Sequence, residues 1–176
     1  PEVNAPATRT WEHCREWVKE GIDVTVLTCF PNFPEGKLFP GYKHKLFLKE
    51  YLEGIHVIRV ITYITSNKGF FRRTIDYISF GFASFLAGLF IKTDLIIATS
   101  PQMFTAVWAR RLAFFKRRPW VMEVRDLWPE SIKSVGVIKE DIFLKYFERL
   151  ELRLYKSASK IITVTDTFKS RMISRG

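Results

Sequence analysis

The sequence predicts an α/β fold, a Rossmann-like doubly wound parallel sheet with helices on both faces. Short apolar and β-branched runs, such as Trp120–Val124 and residues 94–99, have the composition of strands that are covered on both faces. Segments with helical periodicity alternate with these strands, which indicates βαβ units joined by right-handed crossovers. Because the sequence shows neither an internal repeat nor a low-complexity linker, residues 1–176 are expected to form a single domain.

Composition and charge restrict the class of protein. With 47% hydrophobic and 26% charged residues among 176, the chain is suited to a globular core. A net charge of +10 and a pI near 9.8 favour an anionic partner, which leaves nucleic acid, an acidic bilayer and phosphorylated ligands open. The basic residues are spread over many elements without a recognised nucleic-acid-binding signature, so nucleic acid is not expected.

The first predicted helix covers residues 10–20 and stops at Gly21. Thr8 precedes it and is expected either to cap the helix or to contact a ligand at its N-terminus. Arg9 opposes the helix dipole, and this favours a specific anion as its partner. A strand over residues 23–28 follows, with a proline-rich loop at its end.

Residues 45–63 predict a hairpin around Glu53-Gly54, because two extended runs flank that turn. The next element, a helix over residues 69–91, is apolar on every side, since its polar residues do not gather on one face. Such a helix is either buried or in contact with lipid. Burial against the sheet, an interfacial membrane contact and a membrane span are therefore open, although Asp76 and the marginal apolar length weigh against a span.

Beyond this helix the predicted elements alternate regularly. The helix over residues 104–116 is expected to bury its large apolar side chains, namely Phe104, Trp108, Leu112 and Phe115. Around it the pattern predicts strands at residues 94–99, 120–124 and 160–165, and helices at residues 141–156 and 167–175.

The stretch from Glu123 to Glu130 combines a strand end with a charged loop. Because Pro129 cannot continue a sheet, the chain is expected to leave it at Arg125 or Asp126. Ligands of open parallel sheets bind beyond the carboxyl ends of the strands, so this corner is a candidate functional site. Alternatively, Arg125 pairs with Glu123 or Asp126 and only ties down the loop.

Four loops are expected to converge at this edge of the sheet, at residues 4–9, 31–36, 100–102 and 125–131. Guanidinium groups suit phosphate or carboxylate, whereas amides, hydroxyls and carboxylates suit hydroxyl-rich ligands such as sugars. The polar side chains that these loops offer are Arg9, Asn32, Ser100, Arg125, Asp126, Glu130 and Ser131. The sequence has no Walker-type loop, no complete G-x-G-x-x-G and no serine nucleophile elbow, and its three histidines are scattered, so metal or triad chemistry is not expected.

Several blocks resemble the N-terminal half of family 4 glycosyltransferases of bacterial polysaccharide assembly. They are Asn4-Ala-Pro-Ala-Thr-Arg9, residues 21–28, residues 94–101, Glu123-Val-Arg-Asp-Leu-Trp-Pro-Glu-Ser-Ile132 and residues 157–165. The fourth block is the most specific, and all five occur in the expected order along almost the whole chain.

The resemblance implies one half of a GT-B enzyme, which moves a sugar from a nucleotide-sugar donor to an acceptor with retention of configuration. In that family the N-terminal domain chiefly holds the acceptor, and the C-terminal domain binds the nucleotide sugar. A first strand before Pro1 and a donor-binding domain after Gly176 are accordingly expected to be missing, and the fragment alone is expected to be inactive. Neither a metal nor a tightly bound cofactor is expected. A non-catalytic sugar- or nucleotide-binding domain is the alternative.

The resemblance also assigns roles by position. Arg125-Asp126 stands where many relatives have His-Asp, so Arg125 is expected to steady phosphate charge and Asp126 to position or deprotonate an acceptor hydroxyl. Glu123 is expected to orient Arg125. The residues expected to line the acceptor side are Asn4, Thr8, Arg9, Asn32, Ser100, Glu130 and Ser131.

Many such enzymes act on polyprenyl-phosphate-linked sugars at the inner face of the cytoplasmic membrane. A cytoplasmic, peripheral location on an anionic membrane surface is therefore expected here, in agreement with the basic charge and the apolar helix. The residues expected to face the membrane are Lys43, Lys45, Arg72 and Arg73.

Overall fold

A computed structural model of the chain describes residues 5–65, 70–100, 103–127 and 141–175. These residues divide into two units, Pro1–Ala87 and Gly88–Gly176. Each unit contains a three-stranded sheet of its own.

The first unit is built on a mixed sheet in the order β1-β3-β2. Its elements are α1 (Ala5–Lys19), β1 (Val24–Cys29), β2 (Phe47–Leu52), β3 (Ile55–Val60) and the beginning of α2 (Phe70–Leu89). Strand β1 runs parallel to β3, with Val24 opposite Ile55, whereas β2 is antiparallel to β3. Helix α1 covers one face of this sheet through a small core that includes Cys14, Ile55 and Val57.

Helix α1 begins earlier than predicted. It already includes Ala5, so Thr8 and Arg9 lie within its first turns and the prediction that Thr8 caps the helix is wrong. Proline is tolerated in the first turn of a helix, where its missing N–H has no partner to lose, and alanine is the best helix former. The hydroxyl of Thr10 donates to the carbonyl oxygen of Pro6 at 3.0 Å.

The predicted hairpin is confirmed. Strands β2 and β3 pair antiparallel around Glu53 and Gly54, with Leu52 opposite Ile55. Both turn residues have a positive φ, 48° for Glu53 and 85° for Gly54, as in the two-residue turns that match the twist of a hairpin. A Cβ atom added at Gly54 would lie 2.6 Å from Cγ1 of Val18, so the turn packs directly on α1.

We expect Gly54→Ala to lower the free energy of unfolding by about 2 kcal/mol, because it combines left-handed strain with overlap against Val18. Gly21→Ala is the matched control, since Gly21 has a φ of 81° with nothing within 4 Å of the added Cβ. The control should therefore lose only the strain contribution of about 1 kcal/mol. Urea denaturation measures both, and equal losses would contradict the packing of the hairpin on α1.

Helix α2 is not buried on every side. Gly81 and Gly88 are buried, whereas Ile75, Ile78 and Leu86 are exposed. Burial raises the pKa of the Asp76 carboxyl to about 6, and the charge of Arg73 offsets part of this rise. No helix in the described residues has both the length and the apolar character needed to cross a bilayer.

The second unit has a fully parallel sheet in the order β4-β5-β6. Its elements are β4 (Ile96–Thr99), α3 (Met103–Lys116), β5 (Trp120–Val124), α4 (Asp141–Ser157), β6 (Lys160–Thr163) and α5 (Asp166–Ser174). The central strand β5 is the most buried, with Val124 fully inaccessible to solvent. In this unit strands and helices alternate and all strand pairs are parallel, which is the predicted Rossmann-like α/β architecture.

Helix α3 faces the core with two alanines beside one methionine and one leucine. Its buried residues are Met103, Ala106, Leu112 and Ala113. Phe115, which the apolar pattern assigned to the core, is 65% exposed, so that prediction is wrong. Alanine methyl groups let the helix backbone approach the sheet closely, which a phenylalanine on the same face would prevent.

A buried ion pair connects α4 with the end of α5. The carboxylate of Glu151 is 2% exposed, and its Oε2 lies 2.9 Å from Nη2 of Arg175. The hydroxyl of Tyr155 donates to Oε1 of Glu151 at 2.6 Å. Oε1 thus accepts a hydrogen bond and Oε2 lies at ion-pair distance from a guanidinium, and such partners lower the cost of a charge in a core.

Candidate functional site

The carboxyl ends of β4 and β5 are tied together by Ser100. Its backbone N–H donates to the carbonyl oxygen of Glu123 at 2.9 Å. Its side-chain oxygen accepts the backbone N–H of Arg125 at 2.8 Å and that of Asp126 at 3.4 Å. Ser100 is only 4% exposed, so these bonds form away from bulk water.

Ser100 makes these hydrogen bonds because β5 leaves the sheet at this place. Beyond Val124 the strand pairing ends, and backbone N–H groups there need an acceptor other than a neighbouring strand. The hydroxyl of Ser100 accepts from two successive N–H groups, and Leu127, which is 5% exposed, anchors the chain immediately afterwards. The backbone of Arg125 and Asp126 is thus held between two buried points.

The side chains of this corner are accessible. Asp126 is exposed, and Arg125 and Glu123 are half-buried. Glu123 lies on β5, and Arg125 directly follows the end of that strand at Val124. A carboxylate accepts hydrogen bonds from hydroxyl groups, and a guanidinium binds phosphate with two parallel N–H bonds. The corner therefore places a group that accepts hydrogen bonds from hydroxyls next to a permanent cation of the kind that binds phosphate.

In the first unit, Asn32 shapes the loop that follows β1. Its side-chain Nδ2 donates to the carbonyl oxygen of Phe30 at 2.8 Å, and its own carbonyl oxygen accepts from the backbone N–H of Gly36 at 2.8 Å. Asn32 is half-buried. Of the other predicted residues in this unit, Thr8 is exposed and Arg9 is half-buried on α1.

A cluster that the sequence did not predict supports the same loop. Arg59 on β3 is 7% exposed, pairs with the carboxylate of Glu50 and donates through Nη1 to the carbonyl oxygen of Cys29 at 3.1 Å. Its guanidinium lies 5.1 Å from the centroid of the Tyr42 ring. The Tyr42 hydroxyl donates to Oε1 of Glu50 at 2.9 Å, and burial, followed by this bond, raises the pKa of Tyr42.

The sequence feature that could have revealed this cluster is an arginine on the strand face where the other residues are apolar. Ile55, Val57 and Arg59 occupy the same face of β3, and the first two are buried. A charge on such a face requires a partner, so Arg59 indicates a buried ion pair with a residue elsewhere in the chain. The cluster fixes the chain at the carboxyl end of β1, where the loop that contains Asn32 begins.

The structure thus places the predicted site residues in three groups. Ser100, Glu123, Arg125 and Asp126 come together in the second unit, as the strand pattern predicted, while Thr8, Arg9 and Asn32 belong to the first unit. Asn4, Glu130 and Ser131 lie outside the described residues, and the convergence of all four loops stays a prediction. Within the described ranges no group of three or more His, Cys, Asp or Glu side chains is arranged to hold a metal ion.

Comparison with known proteins bears on this arrangement. The model of a protein family described as Glycosyltransferase Family 4 matches residues 6–176. No curated protein and no solved structure matched the chain in the other two comparisons. The family match covers both units, including the corner at Arg125 and Asp126 and the loop after β1. The chain therefore belongs to Glycosyltransferase Family 4.

Proposed function

We propose that the chain is the acceptor-side domain of a retaining glycosyltransferase of cell-surface polysaccharide synthesis. In this proposal a nucleotide sugar is the donor and a saccharide on a polyprenyl phosphate is the acceptor. Membership of Glycosyltransferase Family 4 supports sugar transfer. The observation that carries the proposal further is the corner held by Ser100, where an exposed carboxylate stands beside a guanidinium at the carboxyl ends of two parallel strands.

Each group at this corner has a distinct part in the proposed reaction. Asp126 accepts a hydrogen bond from the acceptor hydroxyl and takes up its proton as the new glycosidic bond forms. The bond between the anomeric carbon and the donor phosphate breaks in the same step, and Arg125 stabilises the negative charge that gathers on that phosphate. Glu123, near the end of β5 and two residues before Arg125, is proposed to be a positioning residue for the guanidinium.

The proposal requires no resident cofactor, because the nucleotide sugar is consumed as a co-substrate. Stabilisation of a departing phosphate needs a positive charge, and Arg125 supplies one that is present at every physiological pH. Its backbone N–H is held by the 2.8 Å bond to Ser100. Transfer is therefore proposed to proceed without a divalent metal.

The test is a transfer assay on the full-length protein. Radiolabelled UDP- and GDP-sugars are incubated with the protein and a bacterial lipid extract, with and without EDTA. We expect one donor to pass its label into the organic phase, at a rate that EDTA changes by less than about twofold because the guanidinium supplies the charge. Binding of a nucleotide sugar without transfer or hydrolysis would overturn the proposal in favour of a non-catalytic binding domain, and abolition of transfer by EDTA would overturn its metal-free form.

A further inference from the structure

The guanidinium of Arg59 joins the three strands of the first sheet. Its strand, β3, lies between the other two, with Thr28 of β1 and Leu48 of β2 opposite Arg59. Glu50 is two residues beyond Leu48 and is therefore a diagonal neighbour of Arg59 on the same face. The guanidinium pairs with the Glu50 carboxylate and donates to the carbonyl oxygen of Cys29 at 3.1 Å. One buried side chain thus holds both neighbouring strands.

The same contacts close the segment that follows β1, residues 30–42, which we call the β1 loop. At its far end the hydroxyl of Tyr42 donates to Oε1 of Glu50 at 2.9 Å, and the guanidinium of Arg59 lies 5.1 Å from the centroid of the Tyr42 ring. At its near end the ring of Phe30 meets the Tyr42 ring edge-on, with their centroids 6.2 Å apart. Both ends of the β1 loop therefore meet beside the ion pair.

Hydrogen bonds within the β1 loop define its path. The backbone N–H of Gly36 donates to the carbonyl oxygen of Asn32 at 2.8 Å, and that of Phe39 donates to the carbonyl oxygen of Pro31 at 3.1 Å. The side-chain amide of Asn32 donates to the carbonyl oxygen of Phe30 at 2.8 Å. The β1 loop is thus held internally as well as at its ends.

Large apolar side chains of this loop nevertheless face solvent. Phe33 is 43% exposed and Phe39 is 38% exposed. The loop begins at the carboxyl end of a strand that pairs in parallel with β3, and ligands of parallel sheets bind at such ends. The face of an aromatic ring is negatively polarised, and it packs well against the C–H groups that a sugar ring presents. The exposed rings therefore suit a saccharide.

We propose that Arg59 is a positioning residue for recognition of the acceptor. It holds the β1 loop so that the rings of Phe33 and Phe39 pack on a sugar of the acceptor, and it acts through the loop because it is itself buried. This inference rests on the proposed sugar transfer and adds a specificity-determining loop to it. Since ordering a loop on binding costs affinity, a loop that is held beforehand favours the acceptor.

Arg59→Met in the full-length protein is the first test. The apparent KM for the acceptor should rise about tenfold, measured by varying the bacterial lipid extract at a saturating concentration of labelled donor. The donor KM and kcat should change by less than about threefold, because Arg59 touches neither the donor nor the reacting atoms in this scheme. Arg15→Met is the matched control and should change neither KM, since Arg15 pairs with Glu53 at the opposite end of β3. An unchanged acceptor KM, or an equal rise in both KM values, would overturn the proposal.

A double variant separates positioning from stability. Glu50→Leu/Arg59→Met leaves no isolated charge in the buried pair, so its urea midpoint should rise above that of Arg59→Met. The carbonyl oxygen of Cys29 and the hydroxyl of Tyr42 still lack these partners, so the acceptor KM should stay raised. Recovery of the acceptor KM together with stability would show a merely structural role for Arg59 and would overturn the proposal.

The contact with the acceptor is tested by Phe33→Ser/Phe39→Ser. Loss of both rings should raise the acceptor KM at least about tenfold. Phe114→Ser/Phe115→Ser is the matched control, because these two rings are also exposed but belong to α3 in the second unit. An unchanged acceptor KM in the first pair would overturn the proposal.

The state of the β1 loop is measured without any sugar. Lys37 is exposed within the loop, and tryptic cleavage after it should be at least about fivefold faster in Glu50→Leu/Arg59→Met than in the unaltered protein, as followed by mass spectrometry. Equal cleavage rates would overturn the inference while leaving the proposed sugar transfer intact. Absence of transfer by the unaltered protein would instead contradict the proposed function and, with it, the acceptor role of the loop.

Discussion

Replacing Asp126 by alanine in the full-length protein is expected to lower kcat for sugar transfer by about 100-fold or more. The carboxylate is the proposed proton acceptor for the acceptor hydroxyl, and a methyl group cannot take that part. Since Asp126 does not bind the nucleotide in this scheme, KM for the donor should change by less than about threefold. Steady-state kinetics with the donor identified in the transfer assay measure both constants.

Asp94→Ala is the matched control for this experiment. Asp94 precedes β4 at the amino end of the same sheet, its side chain is 95% exposed, and it pairs with Arg118 at 3.3 Å on the surface. An exposed pair of this kind contributes about 1 kcal/mol at most, so the control should fold and turn over like the unaltered protein. Wild-type turnover by the Asp126 variant would refute the proposed role of its carboxylate.

The largest effect on stability is expected at the buried ion pair of the second unit. Arg175→Met removes the cation that lies 2.9 Å from Oε2 of Glu151, whose carboxylate is 2% exposed. Removal of one partner of a buried pair strands a charge in the core, and we expect a loss of about 3 kcal/mol in the free energy of unfolding, measured by urea denaturation.

Two further variants define the cause of that loss. Arg118→Met removes a cation from an exposed pair and should cost less than about 1 kcal/mol. Glu151→Leu/Arg175→Met removes both charges and should recover part of the stability that the single variant loses, because no isolated charge is left in the core. If the double variant were less stable than Arg175→Met, stranding of the Glu151 charge would not explain the loss.

Much of the fold could be predicted because it depends on short-range patterns. The hairpin followed from two extended runs around Glu53 and Gly54, and β5 followed from the apolar run Trp120–Val124. The predicted start of α1 is too late, because the sequence pattern favours a loop at Pro6, whereas this proline occupies the first turn of the helix. The predicted core face of α3 is wrong at Phe115, because the pattern favours the largest apolar residues inside, whereas Ala106 and Ala113 are buried and Phe115 is exposed.

The site could be predicted only in part, for a related reason. The corner at Arg125 and Asp126 followed from local evidence, since Pro129 ends the strand and ligands of parallel sheets bind at strand ends. The hydrogen bonds from the backbone of Arg125 and Asp126 to Ser100 cannot be predicted from local sequence, because Ser100 is 25 residues from Arg125 in the chain. Arg59 and Cys29 are 30 residues apart, so their contact likewise depends on the pairing of strands.

The alanines between α3 and its sheet have a consequence for how this enzyme family could diversify. Ala98 lies two residues before Ser100, and it shares one core with Ala106 and Ala113. Because Ala98 and Ser100 lie on the same strand, the packing of this core affects where the serine oxygen meets the backbone N–H of Arg125. In the proposed reaction, a single methylene added within this core would displace the Asp126 carboxylate without changing any exposed side chain, so acceptor preference could drift through interior volume alone.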